Sequence, residues 1–197
     1  MAELRPVAPS DLSALYHICL VTGDAGKDAS ALHNDPQLIG HLYSAPYAVL
    51  EPEHSLVAVV DDRVVGYLVG TYDTVAFNRR LEDEWWPQLR ERYRNAEGMT
   101  DADQHRIKAI LEPHVTPPEL VAAFPAHIHM NLLPEARGQK IGSRLLSRWV
   151  EEARAAGVTG IHLGASASNA GGIAFWRQGG FEPKMTIGST AWFGMTP

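Results

Sequence analysis

With 197 residues the chain is long enough for one well-packed core and slightly long for a minimal domain. Hydrophobic residues at 45% and charged residues at 20% exclude a disordered or membrane-spanning composition and leave an ordinary globular one. A net charge of −6 without any Lys/Arg run gives no electrostatic footprint for a nucleic-acid backbone and no pull toward an anionic membrane.

In chain order, the opening MAELRPVAPSDL reaches Pro6 before any apolar run, which is not the pattern of a secretory leader. Residues 2–7 are a short strand candidate. Ser10 or Asp11 can cap a helix carrying Leu12, Leu15, Tyr16 and Cys19 on one face. Cys19 is the single cysteine, so no intramolecular disulfide can form. No run approaches the roughly 18 apolar residues of a membrane span, and the expectation is a soluble, cytoplasmic protein. Residues 23–31 are a polar loop, and a second helix is expected over 36–43, stopping near Pro46. Ser55–Val60 and Arg63–Thr71 are apolar strands separated by Asp61-Asp62, a hairpin pattern. Across residues 75–124 the texture turns helical. Phe77, Leu81, Trp85, Leu89 and Tyr93 recur at four-residue spacing, and Ile107, Ile110 and Leu111 mark a further helix after Asp101. This segment lies between runs of strand and reads as an insertion into a single domain spanning 1–197.

Residues 127–133 alternate, with Ile128, Met130 and Leu132 on one face and His127, His129 and Asn131 on the other. Pro134 ends that strand. Arg137-Gly138-Gln139-Lys140-Ile141-Gly142 then leads into a helix with Ile141, Leu145, Leu146, Trp149, Val150 and Ala153 as its stripe and Gly157 as its stop. Residues 159–164 are the next strand. Asn169 opens a short helix ending at Gly179-Gly180, and Phe181 and two weaker strand candidates follow.

A strand, a glycine-bearing turn and a helix N-terminus together make an anion trap. The amides of residues 138–143 have no intrahelical acceptor, the helix dipole adds partial positive charge, and Arg137 and Arg144 add side-chain charge. The spacing is neither a P-loop nor a dinucleotide fingerprint, because no Gly-Lys-Ser/Thr is in place and Gly138 and Gly142 lack a third glycine. A solvated strand–turn–helix would carry the same residues. The separate downstream set of Asn169, Phe175-Trp176 and Gly179-Gly180-Phe181 favours the anion site.

Together these sets resemble the GNAT superfamily of N-acetyltransferases. Leu132-Leu133-Pro134-Glu135-Ala136 followed by Arg137, Gly138, Ile141 and Gly142 is similar to that family's cofactor loop, and the Asn169-to-Phe181 set to its second signature. Gly66-Tyr67-Leu68-Val69-Gly70-Thr71-Tyr72-Asp73, Trp85-Trp86-Pro87 and Arg90-Glu91-Arg92-Tyr93 further resemble the acetyltransferase-like domain of O-GlcNAcase and its free-standing bacterial relatives. The resemblance implies an α/β (α+β) fold with a mixed, mostly antiparallel central sheet, helices on both faces and a helical insertion. It implies acetyl-CoA in a V where strands 127–133 and 159–164 splay apart. The pyrophosphate would meet Arg137 and the amides of Gly138, Gln139, Lys140, Ile141, Gly142 and Ser143. The pantetheine would pair with backbone at Leu132 and Leu133, with Asn169, Gly172, Phe175 and Trp176 completing the cofactor set.

The activity so implied is acetyl transfer to a primary amine on a small molecule or peptide, or else a catalytically impaired CoA-binding or interaction module. Two departures favour the latter. Lys140 stands where the family has glycine, and Trp176 where it has a tyrosine acid; an indole N–H donates a hydrogen bond but does not release its proton. His127 and His129, on one strand face beside the expected cleft, are candidate amine bases, and Asp73 at a strand end is a candidate base or substrate anchor. Hydrogen-bonded strand histidines and a solvated carboxylate are the plainer readings of those three. No third ligand is spaced to make His127-x-His129 a metal site, so none is expected.

Overall fold

Residues 2–113 and 115–197 are described by a computed structural model. Seven strands form one sheet: β1 Glu3–Pro6, β2 Ser55–Val60, β3 Arg63–Thr71, β4 Ala126–Leu132, β5 Ile161–Ser166, β6 Glu182–Ile187 and β7 Thr190–Met195. Their order is β1-β2-β3-β4-β5-β7-β6. Every neighbouring pair is antiparallel except β4–β5, the mixed sheet expected from the sequence. Asp61 and Asp62 close the β2–β3 hairpin with φ of 48° and 59°, the left-handed pair whose twist matches its strands.

Nine helices of the described residues flank this sheet: α1 Leu12–Val21, α2 Leu38–Tyr43, α3 Ala45–Leu50, α4 Thr74–Arg80, α5 Trp86–Tyr93, α6 Asp101–Leu111, α7 Pro118–Ala123, α8 Ile141–Ala155 and α9 Ala170–Gln178. The stripe expected on α8 is buried throughout, with Trp149 wholly enclosed and its Nε1–H donating to His54 O at 2.8 Å. A Cβ added at Gly70 would meet Ile128 Cγ2 at 2.8 Å and Trp149 Cζ2 at 2.9 Å, so the Ile128 face of β4 looks toward α8. The opposite face carries His127 and His129, which meet Tyr47 of α3. Helices therefore cover both faces.

The helix expected over 36–43 ends at Tyr43 as α2, and Pro46 sits in the first turn of the next helix, α3, where its missing N–H removes no hydrogen bond. One local expectation changes. Asp11 precedes α1 without capping it. Its carboxylate instead accepts from Arg5 at 2.7 and 2.8 Å and from Ala8 N–H at 2.8 Å.

The insertion packs into the common core. Phe77, Leu81, Trp85, Leu89 and Tyr93 are all buried, and a π-helical turn at Leu81–Trp85 joins α4 to α5. Four residues overshoot a 3.6-residue α-turn by about 40°, so a strict four-residue stripe would wind off its face. The wider i→i+5 turn unwinds that drift and returns the stripe to the core. Trp85 Nε1–H donates to His41 O at 3.0 Å and Tyr93 OH to Asp35 at 2.7 Å, fixing the insertion against α2 and the segment before it.

Candidate active site

The site begins with a failure of strand pairing. β4 and β5 pair only at Ala126↔Ile161 and His127↔His162, after which they separate. Ala126 N–H donates to Gly160 O on the β5 side, whereas Leu133 N–H donates to Val65 O on the β3 side. Backbone groups alternate between the two edges of a strand, so those of Ile128, Met130 and Leu132 face the gap without a strand partner. The gap opens into a cleft of about 920 Å³.

At its outer end lies the N-terminus of α8. Arg144 N–H is the first helical donor, to Lys140 O at 3.1 Å, and the amides of residues 138–143 have no acceptor among the described residues. Gly138 and Lys140 both hold left-handed backbone, φ 73° and 59°. In Gly138 that is relaxed; in Lys140 a Cβ is forced against the backbone. Gly142 is a close approach: an added Cβ would lie 3.1 Å from Leu132 Cδ1 and 3.2 Å from Phe175 Cε2.

Arg137 bridges this end to the polar loop of residues 23–31. Its Nε donates to Leu132 O at 3.3 Å and its Nη2 to Gly26 O at 2.8 Å. Asn169 caps α9, its Oδ1 accepting from Gly172 N–H at 2.9 Å, and a Cβ at Gly172 would lie only 2.7 Å from Asn169 Nδ2. The cap and the glycine require each other. Trp176 is nearly buried, its ring edge-on to Phe175 at 5.1 Å and to Phe181 at 5.5 Å.

Of the cofactor residues expected from the sequence, all but Leu133 and Gln139 line the cleft. Leu133 is buried with its amide committed to Val65, and Gln139 turns back so that its Nε2 donates to Glu135 O at 2.6 Å. Of the catalytic candidates, His129 and Trp176 line the cleft and His127 and Asp73 do not. The Asp73 carboxylate caps α4 by accepting from Val75 and Ala76 N–H, at the end of β3 where the gap is closed.

His127 acts on His129 through a directed chain. Thr74 Oγ1 lies 2.6 Å from Pro125 O, which can only accept, so the hydroxyl donates there. His127 Nδ1, 2.7 Å from the same oxygen, must then carry the hydrogen. Its Nε2 accepts from Tyr47 OH at 2.7 Å, and the Tyr47 oxygen accepts from His129 Nε2–H at 3.1 Å. This leaves the bare lone pair on His129 Nδ1, which has no partner among the described residues. Burial, with the nearby His162, lowers the His129 pKa to about 4 and pushes that of His127 well below its ordinary value, so both rings are neutral near pH 7. Burial also raises the Tyr47 phenol, which keeps it a donor.

Residues outside the expected set complete the lining, notably Lys27, Tyr43 and Arg106. Arg106, on α6, follows no motif; only packing brings it to the cleft. The lining holds Lys27, Arg106, Arg137 and Lys140 and, among the described residues, no Asp or Glu, in a chain whose net charge is −6. No His/Cys/Asp/Glu group among those residues could hold a metal ion.

A model of the Acetyltransferase (GNAT) family matches residues 29–181. The crystal structure of SsHAT is 32% identical over 99% of this chain and 98% of its own, with a TM-score of 0.85. A PaiA N-acetyltransferase from Thermoplasma acidophilum, solved in complex with coenzyme A, shares the fold at 15% identity, covering 100% of this chain and 99% of its own with a TM-score of 0.62. O-GlcNAcase from Rattus norvegicus is 24% identical over 160 residues, which are 80% of this chain but only 17% of that protein. The chain thus spans a small part of the length of its curated O-GlcNAcase relatives. With the family match running from the loop before α2 through the splayed strands to the residue after α9's glycines, this chain belongs to the GNAT acetyltransferase family.

Proposed function

We propose that the chain transfers an acetyl group from acetyl-CoA to a primary amine. The observation that carries this reading is the run of unpaired amides at residues 138–143 beside a sheet gap whose edge offers unpaired backbone groups. Acetyl-CoA supplies an activated acetyl group on a thioester. The amides of the α8 N-terminus, with Lys140 and Arg137, suit its pyrophosphate, and the free backbone groups of Met130 with the free N–H of Leu132 suit an amide-bearing arm laid as an extra strand.

His129 Nδ1 accepts a hydrogen bond from the amine and holds its lone pair toward the thioester. The amine nitrogen forms the new C–N bond as the C–S bond breaks, with that electron pair leaving on sulfur. The proton shed by nitrogen passes at His129 Nδ1 to solvent. A base that titrates near 4 is a weak one and Trp176 supplies no acid, so the chemistry is slow relative to a site with both. That same pair of features supports a second reading, a CoA-binding module without turnover.

Acetyl-CoA at about 100 times its Kd should stabilise the protein by about 2.7 kcal/mol. Ser143→Glu should abolish that shift: a glutamate in the first turn of α8 suits the helix dipole, so the fold is kept while its charge opposes the pyrophosphate. Thermal unfolding checks both, and thiol release over a panel of amines separates the two readings. No shift at millimolar acetyl-CoA would overturn the reading.

A further inference from the structure

The cleft passes through the sheet, and its two ends differ in charge chemistry. Lys140, Gly142 and Phe175 stand on the α8 face, by the phosphate-sized amide cradle. Tyr43, His129 and Arg106 stand on the other. His129 lies three residues before Leu132 along β4, roughly 10 Å from the carbonyl that Arg137 holds. The Arg106 guanidinium sits 5.6 Å over the Tyr43 ring, whose centroid is 5.5 Å from that of His129. Arg106 therefore belongs with His129 and not with the phosphate end.

Its charge is unanswered. Arg5, Arg63, Arg80, Arg90, Arg92, Arg94 and Arg148 form carboxylate ion pairs, and of the arginines that form none among the described residues Arg79, Arg137, Arg144, Arg154 and Arg177 are exposed. Arg106 is half-buried and forms none among the described residues; its one hydrogen bond goes from Nη1 to the neutral Tyr43 OH at 3.2 Å. A guanidinium has five N–H donors in a planar fork suited to a carboxylate, and one withdrawn from water without a counter-ion is costly. No carboxylate in the cleft lining supplies that counter-ion. A protonated lysine side chain or polyamine entering here would meet only like charge.

We infer that the acceptor is an amine that itself carries a carboxylate, and that Arg106 binds the carboxylate while His129 receives the amine. This rests on the acetyl-transfer reading above. The test compares matched acceptors, α-amino acids against their amides and against the amines lacking the carboxyl group. Two readouts are used on the wild-type chain with acetyl-CoA bound: thiol release and acceptor-induced thermal shift. The acids should be preferred by about 10-fold or more, the scale of a charge-assisted hydrogen-bonded pair. Arg106→Gln should erase that preference by raising KM for the acid, with Arg106→Lys between the two, while the acetyl-CoA thermal shift stays unchanged. Loss of the acetyl-CoA shift in wild type would count against the transfer reading instead. An intact acetyl-CoA shift without an acid-over-amide preference in either readout, or a preference that survives Arg106→Gln, overturns the inference.

Discussion

Lys140 concentrates the residue-scale questions, because a lysine occupies left-handed backbone at φ 59° and ψ 12° in the turn that opens α8. The Cβ of an L-residue crowds the backbone there, at a cost of about 1–2 kcal/mol that glycine does not incur, partly offset by glycine's greater chain entropy when unfolded. Lys140→Gly should therefore stabilise the protein by about 0.5–1 kcal/mol in urea unfolding; a loss of stability would mean the lysine side chain makes up for its own strain. Residues whose role is local were readable in the sequence. Asn169, expected to open a short helix, does so as a cap set by Gly172 a few positions on. Arg106 was not readable, since its place depends on Tyr43, which lies 63 positions earlier in the chain.

At the scale of elements, the insertion is held by a buried carboxylate. Asp103 of α6 accepts from His33 Nδ1 at 2.8 Å, Asn34 N–H at 2.9 Å and Thr100 N–H at 3.1 Å. Burial alone would raise its pKa, but those donors outweigh it and hold the carboxyl below its ordinary range. Asp103→Asn turns an amide N–H₂ toward donors and should cost about 2–3 kcal/mol in urea unfolding, with faster amide exchange in α6. Unchanged exchange there would show that α6 is docked by its apolar face alone. The hydrophobic period announced the helices of this segment. It could not announce the π turn, which answers a conflict between four-residue spacing and 3.6-residue winding that arises only once the stripe has a core to face. The stop of α2 before Pro46 was legible but the start of α3 was not, because a proline also suits a helix's first turn and the chain direction at Ser44 decides whether a new helix begins.

Over the whole molecule, burial lowers the pKa of four histidines, His41 and His129 to about 4 and His127 and His162 also downward. An unfolded histidine titrates near 6.5, so between about 6.5 and 4 the unfolded chain binds more protons than the folded one. Stability contributed by these neutral rings is present above the unfolded value and is lost as pH falls through that window. The urea midpoint should therefore drop steeply from pH 6.5 toward 4, above the range where Asp11 and Asp103 begin to protonate; a flat midpoint down to pH 5 would refute it. The order of strands carries a mechanical consequence as well. β1–β4 form one plate and β5–β7 another, and the ladder joining them is two residue pairs long. A thin seam of that kind is the most compliant line across the sheet. Whatever lies in the gap against the free edge of β4 acts as a splint, lengthening the seam and stiffening one plate against the other, so occupancy of the cleft is felt at both edges of the molecule.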